Sequence, residues 1–437
     1  MDSRMNWWPR SRVFTRYQSS QIRIGSIGVC QSLMSRTLAT GRIPEIDGLR
    51  GIAIGLVLLW HYFVNPIARH PDVSNFYKFA LARLSWSGVD LFFVLSGFLI
   101  GGILLDFRES ANYFKVFYIR RVFRIIPVYL AVLIFLPYVI LFGEWTNHGN
   151  FAWFYRDEST PPYAYWAFLQ NFWMAHAGTF GGYGLWATWS LAIEEQFYLT
   201  LPLLVRYLRP RAILSFVFLG ICAAPILRIA LHFFWPNNWM YGFVLMPCRA
   251  DALLLGVLAA ILMRDLRWRE RIESSKLLFP ALLAIASLGI VYLNFQAPTA
   301  DRPLMWQIGY TWLALTYTLY LLYALTRPNS LISRALRFKW LGSLGLIAYS
   351  TYLFHQPIQW LFFAYFWSGP PRLFNTGTLI TTLSALALTL ACAHLSWQWL
   401  ERPLVRFGHR SNYHFADSPD EPSSASTPEL DTAAVRT

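Results

Sequence analysis

Ten stretches of the chain are apolar for long enough to approach the thickness of a bilayer: residues 49–66, 84–105, 125–142, 189–205, 212–234, 239–263, 277–295, 304–326, 340–367 and 377–400. A helix rising ~1.5 Å per residue needs ~20 residues to cross ~30 Å of hydrocarbon, and every stretch lies near that length. The fourth is short and holds two glutamates. The pattern predicts an all-α fold, a polytopic transmembrane helical bundle of about ten spanning helices. Three parts follow from it: a basic, disordered N-terminal extension over residues 1–43, a membrane domain over 44–407, and a disordered polar tail over 408–437. The extension carries seven arginines against one acidic residue and reads as a basic arm or an organellar transit peptide. Met34 offers a second start, which leaves the place of residues 1–33 open. The tail is rich in Ser, Pro, Asp and Ala, and no second catalytic domain is expected in it.

Composition sharpens this picture. The 437 residues are 56% hydrophobic and only 14% charged, against ~25% charged in an ordinary soluble chain. The formal net charge of +14 does not point to nucleic acid, because the basic residues sit in short clusters between apolar stretches. With the N-terminus in the cytoplasm, 28 of the 37 Lys and Arg fall on the cytoplasmic side, six on the other, and Arg50, Arg228 and Arg249 inside spans. That bias predicts that both termini are cytoplasmic. Cys30, Cys222, Cys248 and Cys392 are scattered singly, so neither a disulfide framework nor a metal site is implied.

An ionisable group in hydrocarbon costs at least ~2.5–3.5 kcal/mol, so those that persist point to a cavity, a partner or a substrate path. Arg50 and His61 lie eleven residues apart on the first span. At ~100° and ~1.5 Å per residue they share a face and are separated by about 16 Å. An arginine at the cytoplasmic mouth can hold phosphate, while a neutral imidazole farther in takes a proton from an attacking hydroxyl. The bland alternative is a hydrogen-bonded packing histidine. Arg120, Arg121 and Arg124 precede the third span, and Arg120 and Arg124 are spaced to converge on an anion, or simply to anchor the helix by the positive-inside rule. Adjacent Glu194 and Glu195 point about 100° apart. One could accept a proton or hold a histidine, or both could pair with Arg228 or Arg249. Arg249 and Asp251 read as structural, Asp90 as orienting His61 or capping the second span, and His355 as a minor lining residue. Gly97 and Gly101 form a GxxxG contact pattern. The long outer loop at 143–188 carries Trp145, Trp153, Trp166, Trp173 and Trp186, either an interfacial apron or a sugar-binding lip.

Taken in order, five motifs carry a family resemblance. They are Asp47-Gly48-Leu49-Arg50-Gly51 followed by His61, Gly88-Val89-Asp90-Leu91-Phe92-Phe93-Val94-Leu95-Ser96-Gly97-Phe98, the Arg121/Arg124 pair, Ser190-Leu191 with Glu194-Glu195-Gln196-Phe197-Tyr198, and Tyr352-Leu353 with His355-Gln356-Pro357. Across residues 43–407 the chain resembles membrane acyltransferase family 3, the O-acyltransferases of the O-antigen acetylase type. The resemblance implies a multi-pass enzyme of a bacterial inner (plasma) membrane that uses acyl-CoA, usually acetyl-CoA, as a co-substrate with no tightly bound cofactor. The implied acceptor is a hydroxyl of a carbohydrate or of another envelope or secreted molecule. His61 would be the catalytic histidine and Arg50 its companion, Arg121 and Arg124 would contact the donor, and Glu194 and Glu195 would assist. The competing classes are a transporter or lipid-linked glycan flippase, although no internal repeat is evident, and a noncatalytic scaffold.

Overall fold

The computed structural model describes residues 43–68, 81–145 and 159–415. The expectations for residues 1–42, for the tail beyond 415 and for Trp153 fall outside the described residues. Within them there is no β-strand, and ten helices have sixteen residues or more: α1 (Pro44–Leu59), α2 (Gly88–Asp106), α3 (Tyr113–Trp145), α4 (Thr188–Tyr207), α5 (Pro210–Phe234), α6 (Met246–Arg264), α7 (Leu278–Gln296), α8 (Tyr310–Thr326), α9 (Ala348–Trp367) and α10 (Thr376–Ser396). Each overlaps one predicted stretch. Eight are apolar and long enough to cross a membrane once their flanking turns are included. The two that fall short of that apolarity are α4, with Glu194 and Glu195, and α9, with His355, Gln356 and Gln359. Both face the site described below. The protein is an all-α, polytopic membrane protein.

Proline supplies a preset φ in the first turn of α1, α5 and α6. Inside α3, α4, α5 and α9 it is tolerated, as neighbours in a bundle can re-satisfy the carbonyl it frees. Three helices widen into π turns, and one of them, Trp60–Val64, continues α1 through His61 to Ala68. Such local widening is frequent at functional sites.

Helix α2 lies at the centre of the bundle, with 78% of its apolar window buried. Its contact with α6 is a backbone-to-backbone approach: a Cβ on Gly97 would collide with the Leu253 carbonyl, and one on Gly256 with the Val94 carbonyl. The GxxxG pattern is therefore a helix contact. The same logic explains the glycines flanking Arg50. Gly48 and Gly51 abut the carbonyls of Leu336 and Leu341, so the short helices Leu331–Leu336 and Lys339–Leu346 press onto α1. Arg337 seals that contact with an ion pair to Glu45 at 2.6 Å. Toward the lipid, α5 and α7 present large apolar side chains such as Phe218, Leu219, Phe233 and Leu288.

Helix α3 begins twelve residues before the predicted stretch, so Arg120, Arg121 and Arg124 ride on the same rigid rod that crosses the membrane. Beyond the expected boundary at residue 407, residues 409–415 still pack along the start of this rod. The Ala111 amide donates to the His414 carbonyl (2.8 Å), and Tyr413 stacks on Phe107 with ring centroids 4.0 Å apart.

Candidate active site

His61 stands in the widened turn of α1. Its Nδ1 lies 3.0 Å from the Val57 carbonyl, which can only accept, so Nδ1 carries a hydrogen and donates it there. The His61 carbonyl accepts from Gln359 Nε2 (2.7 Å), tying this turn to α9. Across the interface the ring of His355 meets His61 edge to face, centroids 4.8 Å apart. His355 repeats the same tautomer logic: Nδ1 donates to the Tyr352 carbonyl, while its buried Nε2 has no hydrogen-bond partner among the described residues. Two imidazoles, each with Nδ1 turned to a backbone carbonyl, thus meet in one interior region. Tyr62, next in sequence to His61, donates to the His355 carbonyl (2.9 Å), bringing α1 and α9 together a second time.

At the other end of α1, the Arg50 guanidinium interacts electrostatically with those of Arg121 and Arg124 and with the Tyr198 hydroxyl and Asp47. Neither Arg50 nor Arg124 makes a hydrogen bond or ion pair with a described residue. Arg121 lies over the rings of Phe117 (6.0 Å) and Tyr198 (5.9 Å), and its buried Nε is unpartnered among the described residues. Carboxylates approach without closing a pair. Glu194 accepts from Tyr198 Oη (2.7 Å) and feels Arg50, Arg121 and Arg124. Glu195 feels Arg121 but leaves Oε1 buried and unpartnered among the described residues. Glu401, on the π turn after α10, accepts from Ser350 and also feels Arg124 and Arg50. Just outside the spans, burial and then the guanidinium groups of Arg120, Arg121 and Arg124 hold His409 below the ordinary imidazole range.

Polar side chains join the two ends. Ser96 Oγ lies 2.6 Å from Tyr198 Oη, whose proton goes to Glu194, so Ser96 donates to Tyr198. Glu194 acts electrostatically on Tyr352, which shares a 2.6 Å hydrogen bond with Ser190. The Tyr352 ring lies 5.5 Å from that of His355, which touches His61. Helices α1, α2, α4 and α9 carry this line, and Tyr349 Oη of α9 donates to the Ile125 carbonyl of α3 (2.7 Å). Arg50 and His61 thus terminate one polar track.

Several expectations are corrected by these contacts. Asp90 does not reach His61, because it forms a buried ion pair with Arg249. Arg228 and Arg249 do not pair with Glu194 or Glu195. Arg228 binds Asp251 (3.0 Å), Thr311 (2.7 Å) and the Trp306 carbonyl (2.7 Å). Arg120 commits Nε and Nη2 to the Ser411 carbonyl (3.2 and 2.7 Å), and it is Arg121 that joins Arg124 and Arg50. Glu401 and Gln359 went unremarked in the sequence; a glutamate directly ahead of a polar tail gives no sign of facing a distant arginine. In the outer loop Trp186 packs inward on Trp360 (5.2 Å) and donates to the Gly181 carbonyl (2.7 Å), whereas Trp166 is exposed.

A family model described as an acyltransferase domain matches residues 43–397. The chain is 26% identical over 383 residues to the O-acetyltransferase OatA of Staphylococcus aureus, a match covering 84% of this chain and 58% of that protein. It is 29% identical over 396 residues to the peptidoglycan O-acetyltransferase OatA of Listeria monocytogenes, covering 86% and 58%. With the putative peptidoglycan O-acetyltransferase YrhL of Bacillus subtilis it shares 28% over 391 residues, covering 84% and 56%. The matches thus span less than three fifths of these curated relatives. No solved structure matches the chain significantly.

Proposed function

The chain belongs to the acyltransferase-domain family, and on that premise we propose that it moves an acetyl group from acetyl-CoA to a hydroxyl of a cell-envelope glycan, as a multi-pass enzyme of a bacterial plasma membrane. The relatives named as O-acetyltransferases support the group transferred, and those named for peptidoglycan support a glycan hydroxyl as acceptor. The observation that carries the reading is the placement of His61: its Nδ1 lies 3.0 Å from the Val57 carbonyl, which leaves Nε2 as the nitrogen for proton transfer at the inner end of a polar track that begins at Arg50.

In this mechanism Arg50, Arg121 and Arg124 attract the anionic donor and fix its entry, since guanidinium groups not already paired are available for phosphate. His61 Nε2 takes the proton of the acceptor hydroxyl as that oxygen bonds to the thioester carbonyl carbon. The resulting tetrahedral oxyanion collapses, the carbon–sulfur bond breaks, and the imidazolium returns its proton to the departing thiolate. An ester and a free thiol result, with His61 restored.

Replacing His61 with Ala tests this directly. With membrane abundance unchanged, the rate of acetyl-CoA consumption by purified protein supplied with a cell-wall glycan acceptor should fall by ~100- to 10,000-fold, the range general-base catalysis supplies. Substantial residual turnover would remove the histidine from the chemistry. A transporter or flippase would leave the thioester intact even in the unaltered protein.

A further inference from the structure

The end of the bundle that carries Arg120, Arg121 and Arg124 has a concave surface apart from the polar track. It is a groove of about 300 Å³ between the start of α3 and the segment 409–415, walled by Lys115, Arg410 and His414 together with Asn112, Ser411 and Asn412. An ammonium, a guanidinium and an imidazole line it, and among the described residues no carboxylate does. Lys115 and Arg410 are not neutralised by an ion pair with any described residue; Arg410 only overlies the Phe407 ring at 5.5 Å.

The far wall is held in place at several points. Asn112 donates to the Asn412 carbonyl (2.9 Å) and accepts from the His414 amide (2.9 Å). Arg120 grips the Ser411 carbonyl and lies over the Tyr413 ring at 5.1 Å. Segment 409–415 is thus a strap held by Asn112 and by Arg120, the member of the arginine cluster not joined to Arg50. Along α3 the groove and the cluster are close: Lys115 and Arg124 are nine residues, about 14 Å, apart.

We infer that this groove seats the 3′-phosphate-bearing adenosine end of the CoA donor, so that the diphosphate reaches past the Arg120 strap to Arg124, Arg121 and Arg50 and the acylated pantetheine arm continues toward His61. The inference rests on the acyl-CoA reading above. A donor of this kind carries its charge at one end, in a diphosphate and a 3′-phosphate, and its reactive thioester at the other. A single cluster at the mouth would meet only part of such a molecule. A cationic groove of this size suits one nucleotide-sized group, and its unpaired ammonium and guanidinium are the groups that bind phosphate. An anionic lipid headgroup presents the same phosphate, and the experiment separates the two sources.

Purified full-length protein would be assayed with acetyl-CoA, acetyl-3′-dephospho-CoA and acetyl-pantetheine. The Lys115→Ala/Arg410→Ala double variant should raise KM for acetyl-CoA by about tenfold, shrink the preference for acetyl-CoA over the two truncated donors, and weaken calorimetric binding of adenosine 3′,5′-bisphosphate. Lys115→Arg, which keeps the charge, should retain most of that preference. An equal rise in KM for all three donors, or a wild-type protein indifferent to the nucleotide, overturns the inference. So does a double variant that loses binding to phosphatidylglycerol vesicles while binding adenosine 3′,5′-bisphosphate as before, since the groove is then a lipid site. If the wild type consumes no acetyl-CoA, the acyl-CoA reading fails, whereas nucleotide binding lost in the double variant would still uphold the groove as a nucleotide site.

Discussion

Two groups of charge lie within this bundle, and they are built on opposite principles. In one, Arg228 meets Asp251 and Arg249 meets Asp90, each pair almost wholly buried, with Thr311 and backbone carbonyls absorbing further donors of Arg228 and the ring of Tyr310 lying 4.0 Å from the Arg249 guanidinium. In the other, Arg50, Arg121 and Arg124 gather near Glu194, Glu195 and Glu401 without one ion pair closing among them. The closed group knits α2, α5, α6 and α8 together. The open one keeps donors and acceptors unspent on a polar track. An ionisable residue in a membrane is thus no pointer to chemistry by itself; its charge pairing decides, because a charge already met by an opposite one in direct contact draws a substrate's charge less, even where, as at Arg249 Nε and Nη1, hydrogen-bond donors stay unpartnered among the described residues.

Breaking the closed group should have the largest effect on the protein as a whole. Asp251→Ala leaves the Arg228 guanidinium buried without its ion-pair partner, a loss on the order of 3–5 kcal/mol. Membrane abundance and thermal melting in detergent should drop sharply with it. A variant with unchanged melting temperature would show that the pair is not needed for the fold. The open group should respond in the reverse way. Arg124→Ala removes a cation that pairs with no described residue, so abundance should stay near normal while acetyl-CoA turnover falls ~100-fold, in line with the loss of a charge-assisted contact or two. If Arg124→Ala instead unfolds the protein and Asp251→Ala silences it without unfolding, the contrast between the two groups is inverted.

The contrast was only half legible in the sequence. Long apolar runs revealed all ten helices, since a spanning helix must satisfy its backbone internally and announces itself by length. Arg50 and His61 stood out because they share one helix, where spacing alone carries geometry. What lay between helices did not show. Asp90 was open to His61, and Glu194 and Glu195 to Arg228 and Arg249, because hydropathy says nothing of which helices are neighbours. The start of α3 was missed for a related reason: the basic turn at Arg120–Arg124 is helical yet too polar for an apolar window. The two helices least apolar, α4 and α9, proved to carry the polar side chains that line the track.

The smallest expected effect concerns His355, which the sequence ranked as a lining residue and the structure sets against His61 at 4.8 Å. It touches the proposed base His61 through its ring, and its own Nε2 is buried with no described partner, so two roles are separable. If the ring only packs, keeping the edge-to-face contact of His61 and its hydrogen bond to Val57 in register, His355→Phe should preserve turnover and His355→Ala should not. If the lone pair itself helps orient the hydroxyl or the proton on His61, Phe and Ala should lose about the same, roughly tenfold in kcat, about 1.4 kcal/mol. KM for acetyl-CoA should hold in both, because the proposed mechanism meets the donor's charge at the other end of the track. We expect the second outcome, since a purely packing position would not leave a nitrogen acceptor buried without a partner, at a cost of ~1–3 kcal/mol. A Phe variant with wild-type kcat would reduce His355 to a spacer and leave His61 as the sole base.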